Sequence, residues 1–431
     1  MVTPTARGGG YPVSLIAAAL TCALAPAYTV RWHWGPLPTT LLENAILVTV
    51  VVFFVETYLG PRTLQWRTPL TYPALLFLVT GAIAVIAAPD RRAGLGLYRA
   101  YLIEPIAFFF VVGTIARTAE RALILALGLG VGAIGLSIPN ALVVLDAIRH
   151  HTLNVASQTP VRIYLTANAV ALFLEPLIAL GGSLLLFSRN TRVRIVSLVV
   201  LLVIVPTEIL TLSRGGYLAL AGITVGLALA HRHRWWLLAA GAVAGVALSR
   251  IPSIAARLAV EVNLSNGSNT LVGRSQLWKY TLQMLRDHPL FGAGLSGFTA
   301  TLAPYWNATH TDRFIDPHNI VLNFWSETGL LGLFVFAWIM FAAFRLSWRG
   351  WRGSASTWGP IHLGVFLALV AIVIHGLVDV PYFKNDLSFQ FWTILGITWA
   401  GTRWAPTLNE PATTGSPTRT PSSSSVQSAP S

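Results

Sequence analysis

Apolar runs recur along the chain near residues 12–30, 41–59, 70–89, 97–116, 122–147, 167–187, 193–212, 215–230, 235–249, 328–346, 360–378 and 387–403. Most contain the roughly 17–25 residues that a helix needs to cross a hydrocarbon layer. The pair across 215–249, divided by His231-Arg232-His233-Arg234, is short, and its boundaries are the least defined. Between the ninth run and the tenth lies a stretch of another character, from Arg250 to about Asn323. There RSQLWKYTLQMLRDHPL sets Leu277, Trp278, Thr281, Met284 and Leu285 on one helical face, with Arg274, Lys279 and Arg286 displaced from it. That pattern predicts an amphipathic helix along a membrane surface. Pro289 and three glycines then break it. Residues 406–431 are rich in Pro, Ser and Thr with no apolar periodicity, which predicts a disordered tail. No internal repeat is evident. The pattern predicts an all-α integral membrane protein of about twelve transmembrane helices. Nine fall in 1–249, an outer-face segment with short amphipathic helices covers 250–326, three more helices fill 327–405, and the tail follows.

Composition agrees with the pattern. The chain is 54% hydrophobic and 10% charged, with a mean hydropathy of +0.64, against about 25% charged in an ordinary soluble domain. A water-soluble protein of 431 residues lacks the polar surface to cover such a core. The net charge of +13 invites a nucleic-acid reading, but the arginines sit in short clusters between apolar runs, as membrane topology requires. With the N-terminus inside, the cytoplasmic short loops and termini hold 15 Lys and Arg against 8 in the outer short loops. This bias places both termini in the cytoplasm and the 250–326 segment outside. Arg7, the first apolar run and Ala23-Leu24-Ala25 mimic a signal peptide with its cleavage site. The run is long enough to span and many spans follow, so it reads as an uncleaved first helix. The single cysteine, Cys22, excludes a disulfide framework or a Cys-based zinc site and reads as a core residue.

Residues 292–297, GAGLSG, form a literal G-x-G-x-x-G with Asp312 and Asp316 about 20 positions on. A dinucleotide site needs that motif between a strand and a helix. Here a surface helix and a proline precede it, so the glycines read as a close-packed turn between the Arg274 helix and the His318 segment. Three other places put polar groups where a membrane protein avoids them. In LTLSRGGYLAL, Arg214 follows an apolar run and precedes Gly215-Gly216, whose bare backbone would let a large anion approach. Glu208 lies six residues earlier, where it could hold the guanidinium. The plain alternative is a topology charge snorkelling at a helix end. In GRSQLW, Arg274 adds its charge to a helix N-terminus already suited to anions, or is simply a solvated loop charge. In DPHNIVLNFWSETGLLG, His318 stands at a membrane boundary as a candidate general base, or as a structural histidine. Asn319 follows it, and Asn323 and Glu327 continue a polar stripe at helical spacing. Glu104 and Glu175 lie inside spans, each before a proline. A lone carboxylate there costs about 2.5–3.5 kcal/mol, so both need partners, arginines among them, or a water-filled cavity. No Asp-x-Asp, His-x-x-x-His or Cys pair offers a metal cage, and neither a metal nor a cofactor is expected.

Taken in order, SRGGYLAL (213–220), GRSQLW (273–278), HPLFGAGLSGF (288–298) and HN-x9-G-x-x-G from His318 to Gly332 resemble the O-antigen ligase and O-antigen polymerase superfamily of bacterial envelope glycosyltransferases. YLIEPIAFFF (101–110), TANAVALFLEP (166–176) and HGLVDVPYFKNDL (375–387) resemble further segments of that family, so the likeness extends from about Tyr98 to Trp404. The resemblance implies a GT-C-type enzyme of the bacterial plasma (inner) membrane with its active site on the outer face. Such enzymes transfer a glycan from undecaprenyl pyrophosphate to a glycan, lipid or protein acceptor, without a metal and with inversion. It implies that Arg214 and Arg274 hold the pyrophosphate and that His318 activates the acceptor hydroxyl; Asn319, Glu327, Glu208, Gly292 and Gly294 are expected to support them. The N–H groups of the glycine run are a candidate further contact to the donor phosphates. Ligases of the family read G-x-x-G-T, whereas Leu333 follows Gly332 here, which leaves polymerase, ligase and protein oligosaccharyltransferase open. A transporter would be expected to show repeated halves and no long outer loop. Membrane lipid is the expected surrounding, and nucleic acid is not an expected partner.

Overall fold

A computed structural model describes residues 11–35, 37–60, 62–154, 159–262, 270–306, 314–354 and 357–404. The tail at 406–431, with Arg7, Asp312, Arg313 and Arg419, lies outside the described residues. The chain runs through α1 (Pro12–Ala23), a hairpin of β1 (Arg31–Trp34) and β2 (Leu37–Thr40), α2 (Leu41–Tyr58), α3 (Thr71–Ala87) and α4 (Arg91–Tyr98). A π turn over Arg99–Ile103 joins α4 to α5 (Glu104–Ile115), followed by α6 (Ala119–Arg149), α7 (Ala167–Phe187), α8 (Thr191–Leu210), α9 (Arg214–Ala230) and α10 (Arg234–Ser249). Then come α11 (Pro252–Val262), α12 (Thr270–Asp287), the short α13 (Phe298–Leu302), α14 (Ile320–Gly353), α15 (Trp358–Gly376) and α16 (Asn385–Trp404). The antiparallel hairpin, with Arg31 opposite Thr40, is an addition to the all-α expectation. It is a turn between α1 and α2 at Gly35 (φ +58°), too short to carry an apolar pattern.

Each apolar run of the sequence is helical. Among the described residues, seven helices are long and apolar enough to cross a membrane: α2, α4 to α5 as one, α6, α7, α8, α14 and α15. An eighth is gained if α10 and α11, bent by 88°, form one broken span, and α1, α3 and α9 are shorter apolar helices. The protein is thus a multi-pass helical membrane protein, and twelve as a count goes beyond what length and composition show. The reason α16 falls outside the seven is physical. Asp386, Ser388, Gln390, Thr393 and Thr398 are all buried on it. It lies among the other helices, where Gln390 donates to the Phe173 carbonyl of α7 at 2.9 Å. Its neighbours approach closely because glycine removes the side chain in between: a Cβ on Gly396 would stand 3.0 Å from the Phe109 carbonyl oxygen of α5.

The surface helix forms where its pattern predicts. Leu277, Thr281, Met284 and Leu285 of α12 are buried, and this face packs with Phe298, Leu302 and Leu322 of α13 and α14. Its apolar side is therefore covered by the protein. The turn after it is anchored to a break in α14. At Gly329 the backbone adopts φ +72°, ψ 177°, which interrupts the helical hydrogen bonding. The Ser326 carbonyl then accepts from Ala293 N at 2.7 Å and Gly294 N at 3.2 Å, and Leu330 N donates to the Leu290 carbonyl at 3.0 Å. Gly294, at φ +76°, lies against α3, where a Cβ would come 2.7 Å from the Ala88 backbone.

These contacts make a stability prediction. Gly294→Val and Gly329→Val each combine a left-handed φ with a backbone clash and are expected to cost about 1–3 kcal/mol or more. Gly353→Ala, with nothing within 4 Å of the added carbon, is the control. Thermal unfolding of the detergent-solubilised protein checks the order.

Candidate active site

Two helix caps and two strained residues set out the site. The Ser213 hydroxyl accepts from Gly216 N at 3.2 Å and so starts α9 at Arg214. Leu212, at φ +53°, turns the chain between α8 and α9. The Asn319 side chain caps α14, accepting from Val321 N and Leu322 N at 3.0 and 3.1 Å, and its amide donates to the Leu377 carbonyl at 2.9 Å. Asn319 therefore ties the start of α14 to the end of α15. His318, just before the cap, sits at φ +46°, a conformation that a non-glycine residue keeps only when its surroundings impose it. Its N–H donates to Asp316 Oδ1 at 3.0 Å.

The group that gathers the site is Asp379, in the connection from α15 to α16. Its Oδ1 accepts from Val380 N at 2.8 Å and lies 3.4 Å from His318 Nδ1. Its Oδ2 accepts from Asn168 Nδ2 at 2.7 Å and faces Arg274 Nη2 at 3.6 Å. His375 Nε2 stands 4.0 Å from the same oxygen, and His375 Nδ1 is 2.6 Å from Glu175 Oε1 of α7. One carboxylate thus joins α7, α12, the loop before α14 and the end of α15. Burial pulls the His318 imidazole down, but the hydrogen bond to Asp379 and the charges of Asp316 and Asp379 outweigh it and raise it above its ordinary value. Burial alone would raise Asp379; His318, His375 and Arg274 instead hold it well below the carboxylate range. With Nδ1 turned toward Asp379 and Asp316, His318 presents Nε2, which bonds to none of the described residues, and about a quarter of the side chain is exposed. An imidazole oriented by a carboxylate at one nitrogen and open at the other has the geometry of a general base.

Arg214, half-buried at the start of α9, lies within electrostatic reach of Arg274 and of Arg257 from α11. Gly215 and Gly216 let the start of α9 press against its neighbours: a Cβ at Gly215 would meet the His375 ring, and one at Gly216 would meet Glu208. Arg214 thus has two like charges within reach, one of which, Arg274, faces Asp379, and such a group of cations suits an anion.

Several sequence expectations change. Glu208 does not brace Arg214. Both its carboxyl oxygens are buried without a hydrogen-bond partner among the described residues, because the turn at Leu212 sets Glu208 against Gly216. Glu327 accepts from Ser296 N at 2.7 Å and fastens the glycine loop. The GAGLSG amides are likewise committed within the protein. Gly292 N donates to His288, Ala293 N and Gly294 N to Ser326, Leu295 N to Ala84 and Gly297 N to Gly294. Gly292 and Gly294 therefore fold the loop and have no N–H left for a phosphate. Glu104 does brace an arginine, lying 3.2 Å from Arg99, which also reaches Glu43 at 2.6 Å; Glu175 pairs with a histidine instead. The residues that sequence reasoning passed over as chemistry are Asp379, Asn168, His375 and Arg257. For Asp379, His375 and Asn168 the signal was the polar spacing inside HGLVDVPYF and TANAVALFLEP; Arg257 lies in neither segment. Among the described residues no three His, Cys, Asp or Glu side chains are grouped as a metal ion requires.

The raised imidazole can be read directly. Carbethoxylation of His318, followed by peptide mass spectrometry, should reach half its maximal rate above pH 6.5, the ordinary value. In Asp379→Asn the midpoint should move to lower pH, because the charge that favours the imidazolium is gone.

Comparison with known proteins bears on the same segments. No curated protein matches the chain. Residues 198–337 match the O-antigen ligase family model. The match starts within α8, takes in Arg214, Arg274, the glycine loop and His318, and ends past the break in α14, so Asn168 and Asp379 lie outside it. Over these residues the chain is similar to the O-antigen ligase family, in agreement with the resemblance that its motifs carry.

Proposed function

We propose that the protein is a membrane glycosyltransferase that moves a glycan from undecaprenyl pyrophosphate to an acceptor hydroxyl by a single inverting displacement. The observation that carries this reading is the sharing of Asp379 between His318 and Arg274. It fixes a base and a phosphate-binding cation on one rigid group, which favours a reaction joining a hydroxyl to a carbon that bears a pyrophosphate. In this reading His318 Nε2 takes the acceptor proton as the acceptor oxygen bonds to the anomeric carbon. The bond from that carbon to the pyrophosphate breaks on the opposite face. Arg214 and Arg274, with Arg257 beside them, receive the negative charge that gathers on the leaving group, so the reaction proceeds without a metal. Asp379 holds the imidazole in position and stabilises the imidazolium that forms.

The further elements of the reading rest on the arginine bias and the family. All twelve apolar runs cross the plasma membrane in a GT-C-like arrangement, with both termini in the cytoplasm and the Asp379 cluster at the outer face. The chain order supports this, since Asn168, Arg214, Arg274, His318 and Asp379 all fall in or beside outer connections. The acceptor is a growing glycan, a lipid or a protein. Leu333 in place of the threonine of ligases favours the growing glycan, and hence a polymerase.

His318→Ala is expected to lower transfer in proteoliposomes about 10²–10⁴-fold, with unchanged amounts of folded protein. Arg274→Ala should weaken donor binding as well as turnover. Full activity in both variants would overturn the assigned roles. The acidic limb of kcat/KM should lie above pH 6.5 and move to lower pH in Asp379→Asn, as the neutral imidazole becomes available earlier. Sizing the product settles the acceptor: a ladder means a polymerase, a single addition to a lipid or protein a ligase.

A further inference from the structure

At the end of the bundle away from Asp379, α6 and α8 begin and α7 ends around a hollow of about 230 Å³. α7 starts beside the site at Asn168 and lines the hollow from Leu177 to Leu184, roughly 14–24 Å further along at 1.5 Å per residue. The walls are apolar, from Leu127 of α6, Leu177 and Leu184 of α7 and Val196 of α8. Glycine makes the space: Gly130 and Gly181 line it from facing helices. The rim opens on the outside of the bundle, where Ile124, Leu127 and Val196 are exposed. The hollow exceeds the roughly 150 Å³ apolar cavity that accommodates a benzene molecule. An apolar space of this size facing a bilayer loses dispersion contacts unless a chain enters it.

One charged side chain lines the hollow, Arg192 in the first turn of α8. It forms no ion pair among the described residues. The surrounding helix ends are strongly basic: residues 117–121 and 188–194 hold Arg117, Arg121, Arg189, Arg192 and Arg194 against Glu120 as the one acid. The N-termini of α6 and α8 point the positive ends of their dipoles the same way. An acyl-sized apolar hollow ending at an arginine without an ion-pair partner among the described residues, where five arginines outweigh Glu120 and the C-terminal end of α7, has the chemistry that suits a lipid with an anionic headgroup.

We propose that this hollow holds an acyl chain of an anionic phospholipid, with its headgroup phosphate on Arg192. The site is separate from that of the transferred glycan, and the proposal stands whichever acceptor the protein uses. The lipid fills the seam between α6, α7 and α8 and so braces the far ends of the two helices that deliver Asn168 and Glu208.

The test is native mass spectrometry of the purified protein titrated with phosphatidylglycerol or with phosphatidylcholine of the same chains. One phosphatidylglycerol should be retained in preference to phosphatidylcholine by about fivefold or more, the factor expected of one basic side chain at a membrane surface. Arg192→Gln should abolish the preference while lipid is still retained, and Ala126→Phe, which fills the hollow, should abolish the retained lipid of either kind. Equal retention of both lipids by the unaltered protein, or unchanged retention in Ala126→Phe, would overturn the proposal. Displacement of the phosphatidylglycerol by a polyprenyl phosphate would overturn it too, by assigning the hollow to the donor's tail. If Ala126→Phe fails to accumulate, a phosphatidylglycerol with a diazirine in its acyl chain decides on the unaltered protein. Crosslinks must fall in residues 123–130, 177–184 or 193–200; crosslinks elsewhere alone reject the site.

Discussion

A buried carboxylate that stays ionised must be surrounded by donors and cations, and Asp379 collects them from four parts of the chain. Transferring such a charge out of water costs several kcal/mol unless its lone pairs are met. The fold meets them with the Val380 amide, the Asn168 amide group, the His318 ring and the Arg274 guanidinium. The requirement runs both ways. Asp379 fixes the relative positions of these groups, and they in turn keep it charged. The connection after α15, the start of α7, the surface helix α12 and the start of α14 are thereby held in one arrangement, and the placing of the His318 ring and of Arg274 follows from it.

The second constraint is the interruption of α14. Breaking a helix inside an apolar bundle frees carbonyls and amides that lipid cannot satisfy. The glycine loop supplies partners for them, and positive φ at Gly292, Gly294 and Gly329 lets the two segments come close enough to bond. The loop connects α12 to the His318 segment, so it also fixes the span between Arg274 and His318. Its amides work as structural mortar, which is why a phosphate-loop motif occurs without a phosphate site.

How much of this could be read beforehand follows from what kind of signal each residue leaves. Arg214, Arg274 and His318 were legible because a charged or titratable group beside an apolar run is anomalous on its own. The helical runs were legible for the converse reason, and the buried face of α12 because its period is local. Asp379 also stands at the end of an apolar run, but that mark did not name its partners. It lies 61 residues from His318, in an ordinary connection, and only folding shows that they meet. Glu208 misled because six residues along a helix suggested proximity to Arg214, whereas the turn at Leu212 separates their directions. The glycine amides misled because a motif reports conformation and not what the donors already bond. The Arg31–Thr40 hairpin was too short to show a period.

The burial of α16 bears on how the protein is made. A segment carrying Asp386, Ser388, Gln390, Thr393 and Thr398 is a poor candidate to enter lipid alone, since each polar group would arrive unsatisfied. Within the bundle, Tyr164 donates to Asp386 at 2.6 Å and the Phe173 carbonyl accepts from Gln390. The partners of α16, on α2, α5, α7, α15 and the loop before α7, all precede it in the chain. They have therefore emerged before it does, so α16 meets helices that can satisfy its polar groups as soon as it is made.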